Sequence, residues 1–255
     1  MFSQCPKCAH APLPADQSLP AACPGCGVIL AKLAAAGGAA PVRIEPAPGR
    51  AGRRGDGGED DSLLLHVPRR VDQQLFWLRA ALLAAFAAWS VVLVRLDVRT
   101  AEIATSFLHR PILVFHEAGH VLFMPLGEWM TVFGGSFFQC LFPLVLAGAL
   151  LWKRRDPFGA ALFTWFCGVA VMDVAPYIYD ALEPQLVLLG GETGENGPHD
   201  WIYLLRTMGL RDRAQGIGMA VHKLGFAVML LSLAWAALVL RLQFGRIDPD
   251  VIHED

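Results

Sequence analysis

From about residue 75 onward the chain is a succession of five apolar segments, over residues 75–94, 111–127, 133–152, 158–180 and 217–240, and this restricts the fold more than any other feature. Most of them reach the roughly 20 residues needed to cross a bilayer. Hydrocarbon offers backbone amides no water, so such segments must close their hydrogen bonds internally, as helices. Composition points the same way: 55% of residues are hydrophobic and 17% charged, whereas soluble domains carry about a quarter charged residues. The expected fold class is all-α and polytopic, a multi-pass integral membrane protein of about five hydrophobic helices in contact with the lipid bilayer.

Ahead of the apolar segments, Cys5-Pro6-Lys7-Cys8 and Cys23-Pro24-Gly25-Cys26 form a C-x2-C-x14-C-x2-C spacing. Each C-x2-C turn directs two thiolates at one ion, and four thiolates close a tetrahedral structural zinc site with no position left for chemistry. The first residues carry Cys5 and Cys8 with no basic region leading into an apolar run, so insertion is expected to rely on internal segments. A reducing compartment then favours metal over disulfides, which places the ribbon in the cytoplasm. Cys140 and Cys167 lie inside apolar segments and read as packing residues. The expected organisation is a zinc ribbon over 1–30, a flexible linker rich in Ala, Gly, Pro, Arg and Asp over 31–68, a helical membrane domain over 69–245 and a tail over 246–255. Lys7 is the basic residue near the cysteine turns, with no aromatic or arginine cluster to hold phosphates. The ribbon therefore suits a cytoplasmic protein partner better than nucleic acid.

The second apolar segment contains His116-Glu117-Ala118-Gly119-His120, an H-E-x-x-H motif. On a helix, residues four apart lie about 6 Å apart along the axis and on one face, so His116 and His120 can reach the same ion while Glu117 sits beside it. In this arrangement two histidines hold zinc and the glutamate takes a proton from the water on the metal. Ionisable residues in an apolar segment mark function by default. The segment is short and polar for a spanning helix, and if it is re-entrant the basic run Lys153-Arg154-Arg155 and the C-terminal tail both fall on the side of Arg69-Arg70, as the positive-inside tendency requires. Five full crossings would put that run on the wrong side.

A catalytic zinc needs a third protein ligand and one open position. Asp180 at the end of the fourth segment, and His199 or Asp200 in the loop after it, are the candidates. Asp200 also reads as the N-cap of a helix starting at Trp201, and Asp173 as a buried group bonded to backbone freed by Pro176. Gly135, Ser136 and Gln139, in the segment following the motif, are candidates for holding an extended substrate or its oxyanion.

Residues 111–181 resemble the site-2 protease class of intramembrane zinc metallopeptidases. The resemblance rests on His116, Glu117 and His120, one intervening apolar segment, and then Asp173, Pro176 and Asp180, with Asp173 where the family usually has Asn and Ala181 in place of a glycine. It implies Asp180 as third ligand, Glu117 as general base, and membrane protein or peptide substrates unwound before cleavage. The expected cofactors are two zinc ions, one catalytic and one structural. Two other readings fit the same residues: a metal-dependent membrane hydrolase of non-peptide substrates, and a non-catalytic membrane adaptor that docks a partner through its ribbon.

Overall fold

The computed structural model describes residues 2–18, 21–35 and 62–249. The chain divides into two compact units, Met1–Gly58 and Glu59–Asp255. Most of the expected linker, residues 36–61, lies outside the described residues, but its two ends are ordered elements: helix α1 (Leu30–Ala35) and a 3-10 turn (Leu63–Leu65).

In the first unit the two cysteine turns share one backbone pattern. The carbonyl of Cys5 accepts from the Ala9 amide and the amide of Cys5 donates to His10; Cys23 repeats this with Gly27 and Val28. The fifth residue of each turn is left-handed, Ala9 at φ 56° and Gly27 at φ 70°. Each turn thus curls its two thiols inward, and all four sulfurs lie within 4.8 Å of one another. Cys5 to Cys26 and Cys8 to Cys23 are both 3.7 Å. Thiolates at about 2.3 Å from a tetrahedral zinc stand about 3.8 Å apart, whereas a disulfide needs about 2 Å. This is a four-cysteine cluster that could hold a metal ion.

The second unit is helical: α2 (Gln73–Val94), α3 (His109–Phe123), α4 (Glu128–Ala149), α5 (Pro157–Asp180), α6 (Asp200–Thr207) and α7 (Ala214–Phe244). Short strands β1 (Val71–Asp72) and β2 (Ile247–Asp248) pair in parallel, so residues expected in the tail pack with the start of the helical unit. Asp72 caps α2 by accepting the Leu75 amide, and Asp156 caps α5 by accepting from Gly159 ahead of Pro157 in the first turn. Four helices are long and apolar enough to cross a membrane: α2, α4 with its π-helical extension to Arg154, α5, and α7 with the turn before it. The protein is therefore a multi-pass membrane protein by length and composition. Helix α5 is its centre, with 67% of its apolar window buried against 11% for α2.

The contacts give the helix directions. Along α2 and α3, Arg79 lies over Phe158, Ser90 accepts from Trp165, His109 meets Asp173 and His116 faces Tyr177. Both chains climb together, so α2 and α3 run the same way as α5. Helices α4 and α7 run the opposite way: Phe115 stacks on Phe142 and Phe123 meets Phe137, while Gly225 lies against Gly168 and Gly218 against Ala175. The Arg79–Asp156 pair, the β1–β2 pairing and the bond from Arg246 to the Val67 carbonyl gather the start of α2, the α4–α5 turn and the end of α7 at one end.

Helix α3 is not one of the four helices long and apolar enough to cross a membrane. At 15 residues it is about 22 Å long, too short to span, and it continues the direction of α2 after the excursion at 95–108. The charge conflict posed by five crossings disappears for that reason: Lys153-Arg154-Arg155 comes to the same end as Arg69-Arg70. The outward side of α3 is apolar, with Val114, Val121 and Leu122 all exposed, as lipid contact requires.

The α5–α7 crossing depends on missing side chains. A Cβ at Gly225 would stand 2.6 Å from the Gly168 carbonyl oxygen, and one at Gly168 would stand 2.8 Å from the Gly225 oxygen. Neither backbone can yield without separating the two helices. Gly225→Val is expected to destabilise the helical unit by about 3 kcal/mol, read as a lower Tm of the detergent-solubilised protein; an unchanged Tm would contradict this packing.

Candidate metal centre

One face of α3 carries His109, Leu113, His116, Glu117 and His120, and all five line a cavity of about 460 Å³ between α3, α5 and the loop that follows α5. Close approach of α4 makes this face possible. A Cβ at Gly134 would meet Phe123 at 2.7 Å, and one at Gly135 would meet His120 at 2.6 Å and Nε2 of His116 at 2.8 Å.

Each imidazole is locked at its Nδ1. Gln139 donates from its Nε2 to the Ala170 carbonyl at 3.0 Å, which turns its Oε1 toward Nδ1 of His116 at 2.7 Å. For His120 the partner is the Thr131 carbonyl, 2.8 Å from Nδ1. Both partners are acceptors, so both Nδ1 atoms carry the proton and both Nε2 atoms face the cavity. There they converge on one oxygen: Oδ2 of Asp200 lies 3.0 Å from Nε2 of His116 and 3.3 Å from Nε2 of His120. Two nitrogen lone pairs aimed at a carboxylate oxygen repel unless a proton or a metal cation lies among them. The donor atoms all fall within 4.8 Å of one another. Two imidazoles and a carboxylate so placed could hold a metal ion.

Asp200 is at the first residue of α6, and His199 takes the N-cap, its Nδ1 accepting from the Ile202 amide at 3.3 Å. The Asp200 carboxylate is thereby left for the histidines.

Asp180 lies apart from the cluster. Its Oδ1 accepts from the Gln185 and Leu186 amides at 2.8 and 3.1 Å, and its Oδ2 takes the Nε2 proton of His199 at 3.2 Å. Tyr177 stacks over His199 at 4.2 Å and its hydroxyl accepts from the Asp200 amide at 3.0 Å. Asp180, His199 and Tyr177 together set where α6 begins, and so where the Asp200 carboxylate points. The three residues read as substrate contacts also pack around the histidines and α6. Gln139 is buried with both ends of its amide bonded, Ser136 is buried and accepts from Trp201 at 3.0 Å, and Gly135 gives clearance to both imidazoles. Gln139 also lines the cavity. Asp173 is bonded to His109 at 2.8 Å instead of to backbone freed by Pro176. Glu117 is exposed into the cavity.

Tyr177 and the Thr131 carbonyl carry no signal in the sequence. Gln139→Leu removes the acceptor that fixes His116 and is expected to weaken zinc binding at this centre 10- to 100-fold, read by competition against a chelator; unchanged affinity would show that Gln139 has no hold on the imidazole. No family model, curated protein or solved structure matches the chain, so the centre is read from its own geometry.

Proposed function

We propose that this chain is a membrane-embedded zinc metallopeptidase of the site-2 protease-like class, hydrolysing peptide bonds of membrane proteins. The observation that carries the reading is the convergence of two tautomer-locked imidazoles on the Asp200 carboxylate, with Glu117 on the same wall of a cavity in a membrane protein. His116, His120 and Asp200 are the residues that would hold zinc. Zinc, when bound there, supplies a Lewis acid that polarises a carbonyl and lowers the pKa of water toward neutrality.

Glu117 then acts as general base and afterwards returns the proton to the leaving amine. Its side chain is exposed on the cavity wall, within the space a substrate would occupy. A cavity of about 460 Å³ admits an extended peptide and excludes a helix about 10 Å across, so a helical substrate must unwind first. We assign the four-thiolate ribbon to docking a cytoplasmic protein.

The test is release of fragments from fluorescein-labelled casein by the purified, zinc-loaded full chain in detergent. Cleavage that stops on chelation and returns with zinc supports a peptidase; a zinc-loaded protein that releases nothing contradicts it.

A further inference from the structure

The cavity holds a second polar pair that the chemistry above does not use. His109 donates from Nδ1 to Oδ1 of Asp173 at 2.8 Å, and both residues line the cavity. The Asp173 side chain is 7% exposed and that of His109 27%, so the imidazole is the member that faces the space. No protein group bonds its Nε2 among the described residues.

His109 and His116 are seven residues apart, two turns of one helix face and about 10 Å along the axis. Helix α5 runs parallel, placing Asp173 beside His109 and Tyr177 beside His116. The cavity wall therefore carries the candidate metal ligands and, two helical turns away, the His109–Asp173 pair. Leu113 lies between them on α3, with Val174 opposite on α5. An extended peptide advances about 3.3 Å per residue, so the distance corresponds to about three residues.

We infer that His109, held by Asp173, is a substrate-binding residue that hydrogen-bonds a backbone carbonyl of an extended peptide about three residues from the scissile bond. This rests on the peptidase reading of the metal centre. The hydrogen bond with Asp173 raises the His109 pKa and burial opposes it, with the net direction upward; in the imidazolium form Nδ1 donates to Asp173 and Nε2 to a carbonyl. A peptide gripped there and at the metal lies along this wall in the strand conformation that cleavage needs.

The test compares hydroxamates as probes of the zinc-loaded full chain, by calorimetry in detergent: acetohydroxamate, which has no arm, and two trileucyl hydroxamates carrying the group at the carboxyl or the amino end. His109→Ala is expected to weaken one of the armed probes about tenfold, the worth of one hydrogen bond, with acetohydroxamate affinity and zinc content unchanged. His109→Gln, which keeps a donor, is expected to recover most of the loss. Equal losses for armed and armless probes, or no loss for either arm, would overturn the assignment. If wild-type protein binds no hydroxamate at all, the metal-centre reading fails and takes this inference with it.

Discussion

Glu117→Gln is expected to lower peptide hydrolysis about a thousandfold while leaving the zinc content of the protein at its wild-type value. The size follows from removing a general base and proton donor from one transition state. The retained zinc follows from position: Glu117 is on the cavity wall but is not among the three residues whose donor atoms converge. Glutamine has nearly the same shape, so the folded unit is preserved. Fragment release and metal content, measured on one preparation, give the result; a variant that loses zinc together with activity would make Glu117 a ligand, and one that keeps activity would remove it from the chemistry.

Asp200→Ala should abolish zinc binding at the membrane centre, and Asp180→Asn should not. Losing a residue that only orients a ligand costs 10- to 100-fold in affinity, so losing the ligand itself should exceed a hundredfold. At Asp180 an asparagine oxygen can still accept from the Gln185 and Leu186 amides, so the turn that leads to α6 is kept while the bond from His199 is lost. Zinc affinity should then fall by less than about tenfold, within the effect of an orienting group. Competition against a chelator separates the two aspartates. A larger loss for Asp180→Asn than for Asp200→Ala would restore Asp180 as the third ligand.

The helical class of the fold was legible because apolar runs of this length leave the backbone no other solution. The bounds of α5 and α2 follow closely, since Pro157 and the capping carboxylates of Asp156 and Asp72 mark their starts. The path of α3 was not legible. Its length excluded a span, but only the pairing of His109 with Asp173 and of Phe115 with Phe142 shows that it continues α2 and does not turn back. The two histidines of the metal centre and the four ribbon cysteines could be read from spacing alone, because short spacings on a helix or a tight turn fix geometry locally. The carboxylate that meets the two histidines could not. Asp180, His199 and Asp200 are close in sequence, and their separation into a positioning pair and a carboxylate facing the histidines depends on which residue caps α6. Asp200 looked like that cap, yet His199 takes the position. Gln139 was similarly ambiguous: its place on α4 near the motif was evident, but its bond to the Ala170 carbonyl, which turns its oxygen to His116, comes from a helix 31 residues away.

Zinc per chain, measured by mass spectrometry on the full-length protein purified in detergent, tests the central claim most directly. Wild-type protein should hold two zinc ions, His116→Ala one, and the Cys5→Ser, Cys8→Ser double variant one. A wild-type value of one that is unchanged by His116→Ala and lost in the cysteine variant would confine zinc to the ribbon and contradict a metal centre in the membrane unit.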